Sequence, residues 1–262
     1  YWEQECARGL VMTTKHQPVV ADQIVRAGER FLHKFPHVTE PDVNGRVEIL
    51  HEDEAIIVLN KPAPLPMHAG GRFYRNTLQH ILNEVYHPQK PHPAHRLDAN
   101  TTGIVLVTRT RHFAGKVQPQ FAKGEVEKLY LVRVQGQPKD DVFSCDAPIS
   151  AESGALGSRT VDNQNGLEAR TEFKVRERRA DGTALLEAKP LTGRTNQIRI
   201  HCAHLGFPVC GDLAYLNGNQ LGTTQTLRVD DAPLCLHAWK LGFQHPLTKQ
   251  RVEFLAPPPA WV

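Results

Sequence analysis

The sequence lacks the long apolar runs that membrane-spanning proteins need. None of its hydrophobic stretches approaches the roughly 18 residues that a membrane helix requires. We also find no pattern typical of a secretory signal peptide. These absences lead us to expect a cytoplasmic protein with no membrane partner.

Cysteine is scarce and follows no standard pattern. The chain has five cysteines, an odd number, and no C-x-x-C pair, which is typical of free thiols in a reducing compartment. His201, Cys202, His204 and Cys210 lie close together in the sequence but do not have the spacing of a zinc site. We therefore expect no metal.

Neither sign of charge dominates the composition. The net charge of +3 permits a nucleic-acid partner but does not require one. Residues 170–179 are more basic, with five Lys or Arg against two Glu. This segment has two interpretations, a solvated face of a strand or a surface that contacts RNA.

The hydrophobic periodicity divides the chain of 262 residues into an N-terminal extension, 1–45, and a larger domain, 46–262. The extension is predicted to contain a helix over 19–34. Within the larger domain, helical spacing predicts helices at 77–85, 112–121 and 196–205, the last ending at Gly206. Strand patterns lie at 47–50, 55–59, 104–108, 128–135, 172–175, 184–188, 234–243 and 250–255.

Strands outnumber helices in this pattern and do not alternate with them strictly. That arrangement favours an α+β fold with a mixed, largely antiparallel central sheet and flanking helices over a parallel α/β fold.

The segment His95–Gly103 places Asp98 just before the apolar run 104–107. A carboxylate at the mouth of a buried strand loses hydration and needs a cationic partner to stay ionised. That is how a nucleophile or general base is set up. An isolated Asp in this position is also typical of a turn or a helix cap, so Asp98 alone does not decide its role.

The same segment closely resembles the H-R-L-D-x-x-T-S-G signature of RluA-type pseudouridine synthases, with Thr102 where Ser is usual. The resemblance implies a pseudouridine synthase-like catalytic fold and Asp98 as the catalytic residue. In that family the Asp attacks the ribose C1′ or assists loss of the 2′ proton. Uracil then turns and rejoins through C5, and the resemblance implies no cofactor.

Two further motifs support this resemblance. Lys128-Leu129-Tyr130 is similar to the family's K-x-Y motif, which implies that Tyr130 stacks on the flipped uracil and assists proton transfer. Residues 192–201 resemble G-R-T-H-Q-I-R-V-H, with Asn196 where His is usual. The resemblance implies that Arg199 pairs with Asp98, favouring the carboxylate form through its charge and a bidentate geometry, and that Arg194 lies nearer the RNA.

Other basic residues are predicted to contact RNA. Arg96 lies two residues before Asp98, so in an extended segment both side chains point to one side, and the family resemblance implies that Arg96 helps to displace the target base. Lys61, Arg72 and Arg75 are candidates for phosphate contacts. Asp212, in a stretch that resembles the family's L-G-x-P-I-x-G-D-x-x-Y, is interpreted as a structural turn residue.

The sequence thus predicts a monomeric RNA pseudouridine synthase acting on structured RNA, either tRNA or ribosomal RNA. One alternative is a non-catalytic RNA-binding or RNA-folding protein on the same scaffold. Another is a glycoside-type hydrolase, which requires a second carboxylate near Asp98.

Overall fold

The computed structural model describes residues 1–36, 39–154, 158–224 and 226–262. Contacts among these residues divide the chain into two compact units, Tyr1–Glu40 and Pro41–Val262. The boundary predicted after Gly45 falls just inside the second unit. Within the described ranges, every helix is too short or too polar to cross a bilayer.

The N-terminal unit contains helix α1 (Trp2–Ala7) and an antiparallel pair of short strands, β1 (Val11–Thr13) and β2 (Phe31–His33). The helix predicted over 19–34 is wrong. Ile24 in that segment is 92% exposed, and a short helix without a core against which to pack its apolar side chains is unstable in water.

In the part of the larger unit that the structure describes, ten strands form one sheet. They are β3 (Glu48–Glu52), β4 (Ile56–Lys61), β5 (His92–Pro93), β6 (Thr102–Thr108), β7 (Glu127–Gln135), β8 (Val142–Cys145), β9 (Thr171–Arg178), β10 (Thr183–Pro190), β11 (Leu236–Gln244) and β12 (Arg251–Leu255). The strand order is β3-β4-β6-β11-β7-β10-β9-β8, with β12 paired to β11 and β5 paired to β6. Among the described strands only β6 and β11 pair in parallel, and the other pairs are antiparallel. The predicted mixed, largely antiparallel sheet is therefore confirmed.

Three helices flank this sheet where the sequence predicted them: α2 (Leu78–Val85), α3 (Arg111–Ala122) and α4 (Gln197–His204). The hydroxyls of Thr77 and Thr110 cap α2 and α3 by accepting backbone N–H groups of the first turn. Gly206, at φ +84°, follows the end of α4, and its N–H donates to the carbonyl of Ala203 at 3.0 Å. The predicted C-cap is therefore confirmed.

Gly103 allows β6 and β11 to begin side by side. Its φ is +107°, and a Cβ there would lie 2.2 Å from the carbonyl oxygen of Ala238 on β11. No larger residue fits such an approach without displacing backbone. The glycine that ends the His95–Gly103 motif therefore has a packing role, and it brings the segment containing Asp98 to the junction of the two strands.

The basic segment 170–179 lies mainly on β9, and most of its cations have carboxylate partners. Arg176 pairs with Glu187 at 3.2 Å and Arg178 with Asp141 at 2.8 Å. Arg179 pairs with its neighbour Glu177 at 3.0 Å. This pairing favours a solvated strand face over an RNA-binding surface.

Candidate active site

A cavity of about 730 Å³ opens beside the start of β6. It is lined by the loop before β6, the end of α3, the start of β7 and the loop before α4. Among the described lining residues, four carry a Lys or Arg charge and one carries a carboxylate. These five are Arg96, Lys123, Lys128, Arg194 and Asp98. An excess of cations in a concave site favours an anionic ligand.

The backbone around Asp98 is held in place from both sides. Upstream, the ring Nε2 of His95 accepts the N–H of Leu106 at 3.0 Å. Downstream, the carbonyl of Ala99 accepts hydrogen bonds from the N–H of Leu65 at 2.8 Å and from Lys61 Nζ at 3.1 Å. The carboxylate of Asp98 itself is 23% exposed and faces the cavity. The loop therefore presents one accessible carboxylate on a fixed backbone.

Arg199, on α4, lies next to Asp98 as predicted. Its Nη1 is 3.9 Å from Oδ2 of Asp98, and its side chain is only 3% exposed. Its bidentate partner, however, is Asp212, through Nε–Oδ2 and Nη2–Oδ1 contacts of 2.7 Å each. The predicted bidentate pairing of Arg199 with Asp98 is thus wrong, because Asp212 takes the fork of the guanidinium.

Asp212 has a second role that agrees with its interpretation as a turn residue. Its Oδ1 also accepts the backbone N–H groups of Ala214 at 2.8 Å and Tyr215 at 3.1 Å. Burial disfavours the charge of Arg199, but hydrogen bonds and charge from Asp212, with a further contribution from Asp98, raise the Arg199 pKa. Sequence reasoning missed this role, although a buried arginine always requires such a partner.

Asn196 completes the surroundings of Arg199. It sits in the left-handed region at φ +57° just before α4. Its side-chain oxygen accepts from Arg199 Nη1 at 3.0 Å, and its amide nitrogen donates to the Tyr215 hydroxyl at 2.9 Å. The Tyr215 ring also lies 4.9 Å from the guanidinium carbon. Asn196, where the family motif usually has His, therefore makes specific buried contacts.

Tyr130 lies on β7 and lines the same cavity as Asp98. Its ring packs at the meeting point of two hydrophobic clusters, one including Val132 and the other including Leu97. Burial raises the pKa of Tyr130, and the negative charge of Asp98 raises it further. The phenol therefore keeps its proton at neutral pH and can donate it.

Of the other arginines predicted to contact RNA, two line the cavity and two lie outside its lining. Arg96 and Arg194 are exposed and line the cavity, and Arg194 Nε donates to the Glu168 carbonyl at 2.8 Å. Arg72 and Arg75 are exposed but lie outside the cavity lining.

Lys61 requires a correction. Its side chain is fully buried, and its amine donates to the carbonyls of Pro62, Leu65 and Ala99 at 2.9–3.1 Å. Burial lowers the Lys61 pKa to about 7, although the charge of Asp98 opposes this. The predicted phosphate contact of Lys61 is not supported, because its amine is used inside the protein to fix the loop that carries Asp98.

The comparisons with known proteins agree with this arrangement. The family model described as RNA pseudouridylate synthase matches residues 55–204. Human pseudouridylate synthase RPUSD2 is 32% identical over 82% of this chain, and this chain spans 39% of that longer protein. The uncharacterized RNA pseudouridine synthase YlyB of Bacillus subtilis is 33% identical over 92% of this chain and 80% of its own length.

A solved structure shows the same architecture. Human RNA pseudouridylate synthase domain containing 1 superposes with a TM-score of 0.66 at 26% identity, covering 84% of this chain and 87% of that one. The range matched by the family model, residues 55–204, includes Asp98, Tyr130 and Arg199. The chain therefore belongs to the RNA pseudouridylate synthase family, whose members are isomerases that act on RNA.

Proposed function

We propose that this protein converts specific uridines of structured RNA, tRNA or ribosomal RNA, to pseudouridine. The observation that carries the proposal is the convergence of three separate motifs on one cavity. Asp98 is the one carboxylate among the cavity's described lining residues, and Tyr130 lines the same cavity. Nη1 of Arg199 lies 3.9 Å from the Asp98 carboxylate.

In the proposed reaction Asp98 either attacks the ribose C1′ or removes the 2′ proton. Both routes break the N1–C1′ bond and free the uracil. After the ring turns, the C5–C1′ bond forms; in the first route this breaks the Asp98–C1′ ester bond, and in the second Asp98 returns the proton to C2′. C5 then loses its proton and N1 gains one. The product has the same atoms as the substrate, so the reaction is an isomerisation.

The remaining site residues have distinct proposed roles. Tyr130 stacks on the flipped uracil, and its protonated hydroxyl assists proton transfer. Arg199 acts as a counter-ion whose Nη1 lies 3.9 Å from the Asp98 carboxylate. Because an enzyme must extract a stacked base before acting on it, the exposed guanidinium of Arg96 at the cavity rim is well placed to occupy the gap left in the RNA.

Contacts to the RNA backbone are proposed for Arg194 at the rim and for Arg72 and Arg75 outside the cavity. Such contacts contribute affinity that decreases with salt but carry little sequence information. We further propose that the protein acts as a monomer. We also propose that it works in the cytoplasm, since its five cysteines are free thiols.

Both alternatives are less consistent with the site. A protein that only binds RNA has no use for a carboxylate facing a polyanion. A glycoside-type hydrolase needs a second carboxylate at the cavity, whereas Asp212, which also contacts Arg199, has a side chain with 0% exposure and lies outside the described cavity lining.

The test is Asp98→Asn, which removes the charge and keeps the shape. We expect release of tritium from RNA labelled at uridine C5 to be abolished, while RNA binding stays roughly intact. Asp230→Asn, at an exposed surface pair, is the matched control and should turn over normally. Normal turnover by Asp98→Asn would refute the assignment. Mapping pseudouridine in total RNA from cells with and without the protein then identifies the target uridine.

A further inference from the structure

Lys128 lines the cavity but has no role in the reaction described above. It lies on β7 two residues before Tyr130, so the two side chains project from the same face of the strand, about 7 Å apart. Its amine is close to the loop before α4 and to the loop before β6. Nζ donates to the Thr192 carbonyl at 3.3 Å, and its charge contributes to lowering the pKa of His95 to about 4, after the larger effect of burial.

The amine of Lys128 lacks a carboxylate. Within the described ranges no Asp or Glu lies at ion-pair distance from it, and the Thr192 carbonyl is its one hydrogen-bond partner there. An ammonium has three protons to donate, so two of them remain for a ligand. The side chain is partly buried, and burial lowers its pKa. A partly desolvated cation without a counter-ion favours binding of an anion.

The two buried basic groups near Asp98, Lys61 and Arg199, differ from Lys128 in this respect. The three protons of Lys61 are taken by carbonyls, and the fork of Arg199 is taken by Asp212. Arg194 is exposed and partly engaged by a carbonyl. Lys128 is thus a cation placed beside the proposed base-stacking tyrosine with donors directed at the cavity.

On the basis of the proposed function, we infer that Lys128 forms a binding subsite for one phosphate of the target nucleotide, either the 5′ or the 3′ phosphate. A nucleotide whose base stacks on Tyr130 and whose sugar lies over Asp98 has its phosphates beside this face of β7. Lysine suits this task as a compact point charge. The subsite therefore affects binding of the everted nucleotide and leaves the chemical step unchanged.

The experiment uses a hairpin carrying the mapped target uridine, with the phosphate on either side of that uridine replaced in turn by a neutral methylphosphonate. In the wild-type protein we expect one of the two replacements to weaken binding roughly 10-fold. Lys128→Met should weaken binding of the unmodified hairpin by a similar factor and raise KM with little change in kcat. The same methylphosphonate should cost Lys128→Met nothing further, which is the signature of a direct contact.

Lys139→Met is the control, because it removes the same charge from an exposed site outside the cavity. Lys128→Gln, which keeps a donor for the Thr192 carbonyl, replaces the Met variant if that variant does not fold. Wild-type binding that is insensitive to both replacements would overturn the inference. The inference would also be overturned if the methylphosphonate weakened RNA binding by Lys128→Met as much as it weakens binding by the wild-type protein. A Lys128→Met variant in which only kcat falls would overturn it as well. Wild-type pseudouridine formation is measured first: its absence defeats the proposed function, whereas its presence without coupling defeats the phosphate subsite alone.

Discussion

The buried pair Arg199–Asp212 makes a sharp prediction for Asp212→Asn. The amide preserves the shape of the side chain, and its oxygen can still accept the N–H groups of Ala214 and Tyr215. Its nitrogen, however, places protons against the guanidinium, where Asp212 now accepts two hydrogen bonds of 2.7 Å. The substitution thus leaves a guanidinium that is 3% exposed without its main counter-ion.

The magnitude follows from this burial. Because neither side chain can be screened by solvent, removing one partner of the pair should lower the free energy of unfolding by about 3–5 kcal/mol. For a domain of this size the loss corresponds to a decrease in Tm of roughly 6–20 °C. Urea unfolding followed by circular dichroism measures it, with an unchanged m-value showing that the unfolded state is the same.

The control is Asp230→Asn, whose partner Arg228 is 79% exposed and whose own side chain is 81% exposed. Exposed pairs of this kind contribute little, so no measurable change is expected. A loss below about 1 kcal/mol in Asp212→Asn would show that the pair is not the structural anchor of Arg199, and the reasoning about the buried site would fail.

Two further predictions concern the motif that contains Asp98. Gly103→Ala should destabilise the fold by at least about 2 kcal/mol, because its Cβ meets the Ala238 carbonyl at 2.2 Å. Gly115→Ala, in α3 with open space around it, should instead stabilise by about 0.5–1 kcal/mol, and urea unfolding of both variants checks the contrast. Burial, with the charge of Lys128, lowers the pKa of His95 from 6.5 to about 4, so the folded state takes up this proton less readily than the unfolded state. The free energy of unfolding should therefore fall as pH decreases from about 6.5 to about 4, and His95→Gln should make that fall shallower. An equally steep fall in His95→Gln would contradict this account.

Much of the fold was predictable because it depends on local pattern. Period-two alternation predicted β7, and the spacing of Leu78, Ile81, Leu82 and Val85 predicted α2. The helix predicted over 19–34 failed because Val20, Ile24 and Val25 stay exposed, with no surface against which to pack. The two-residue strand β5 has too few residues for a pattern, and its pairing with β6 arises only in the sheet.

The sequence alone predicted which side chains carry the proposed chemistry, because motifs around Asp98, Tyr130 and Arg199 are read from neighbouring residues. It did not determine how the buried charges are paired. Arg199 shares its charge between Asp98 and Asp212, and Lys61 binds three carbonyls, because the sheet topology brings segments distant in the chain to one point. Which carboxylate reaches a buried cation is a matter of three-dimensional distance and desolvation, and those quantities exist only in the folded chain.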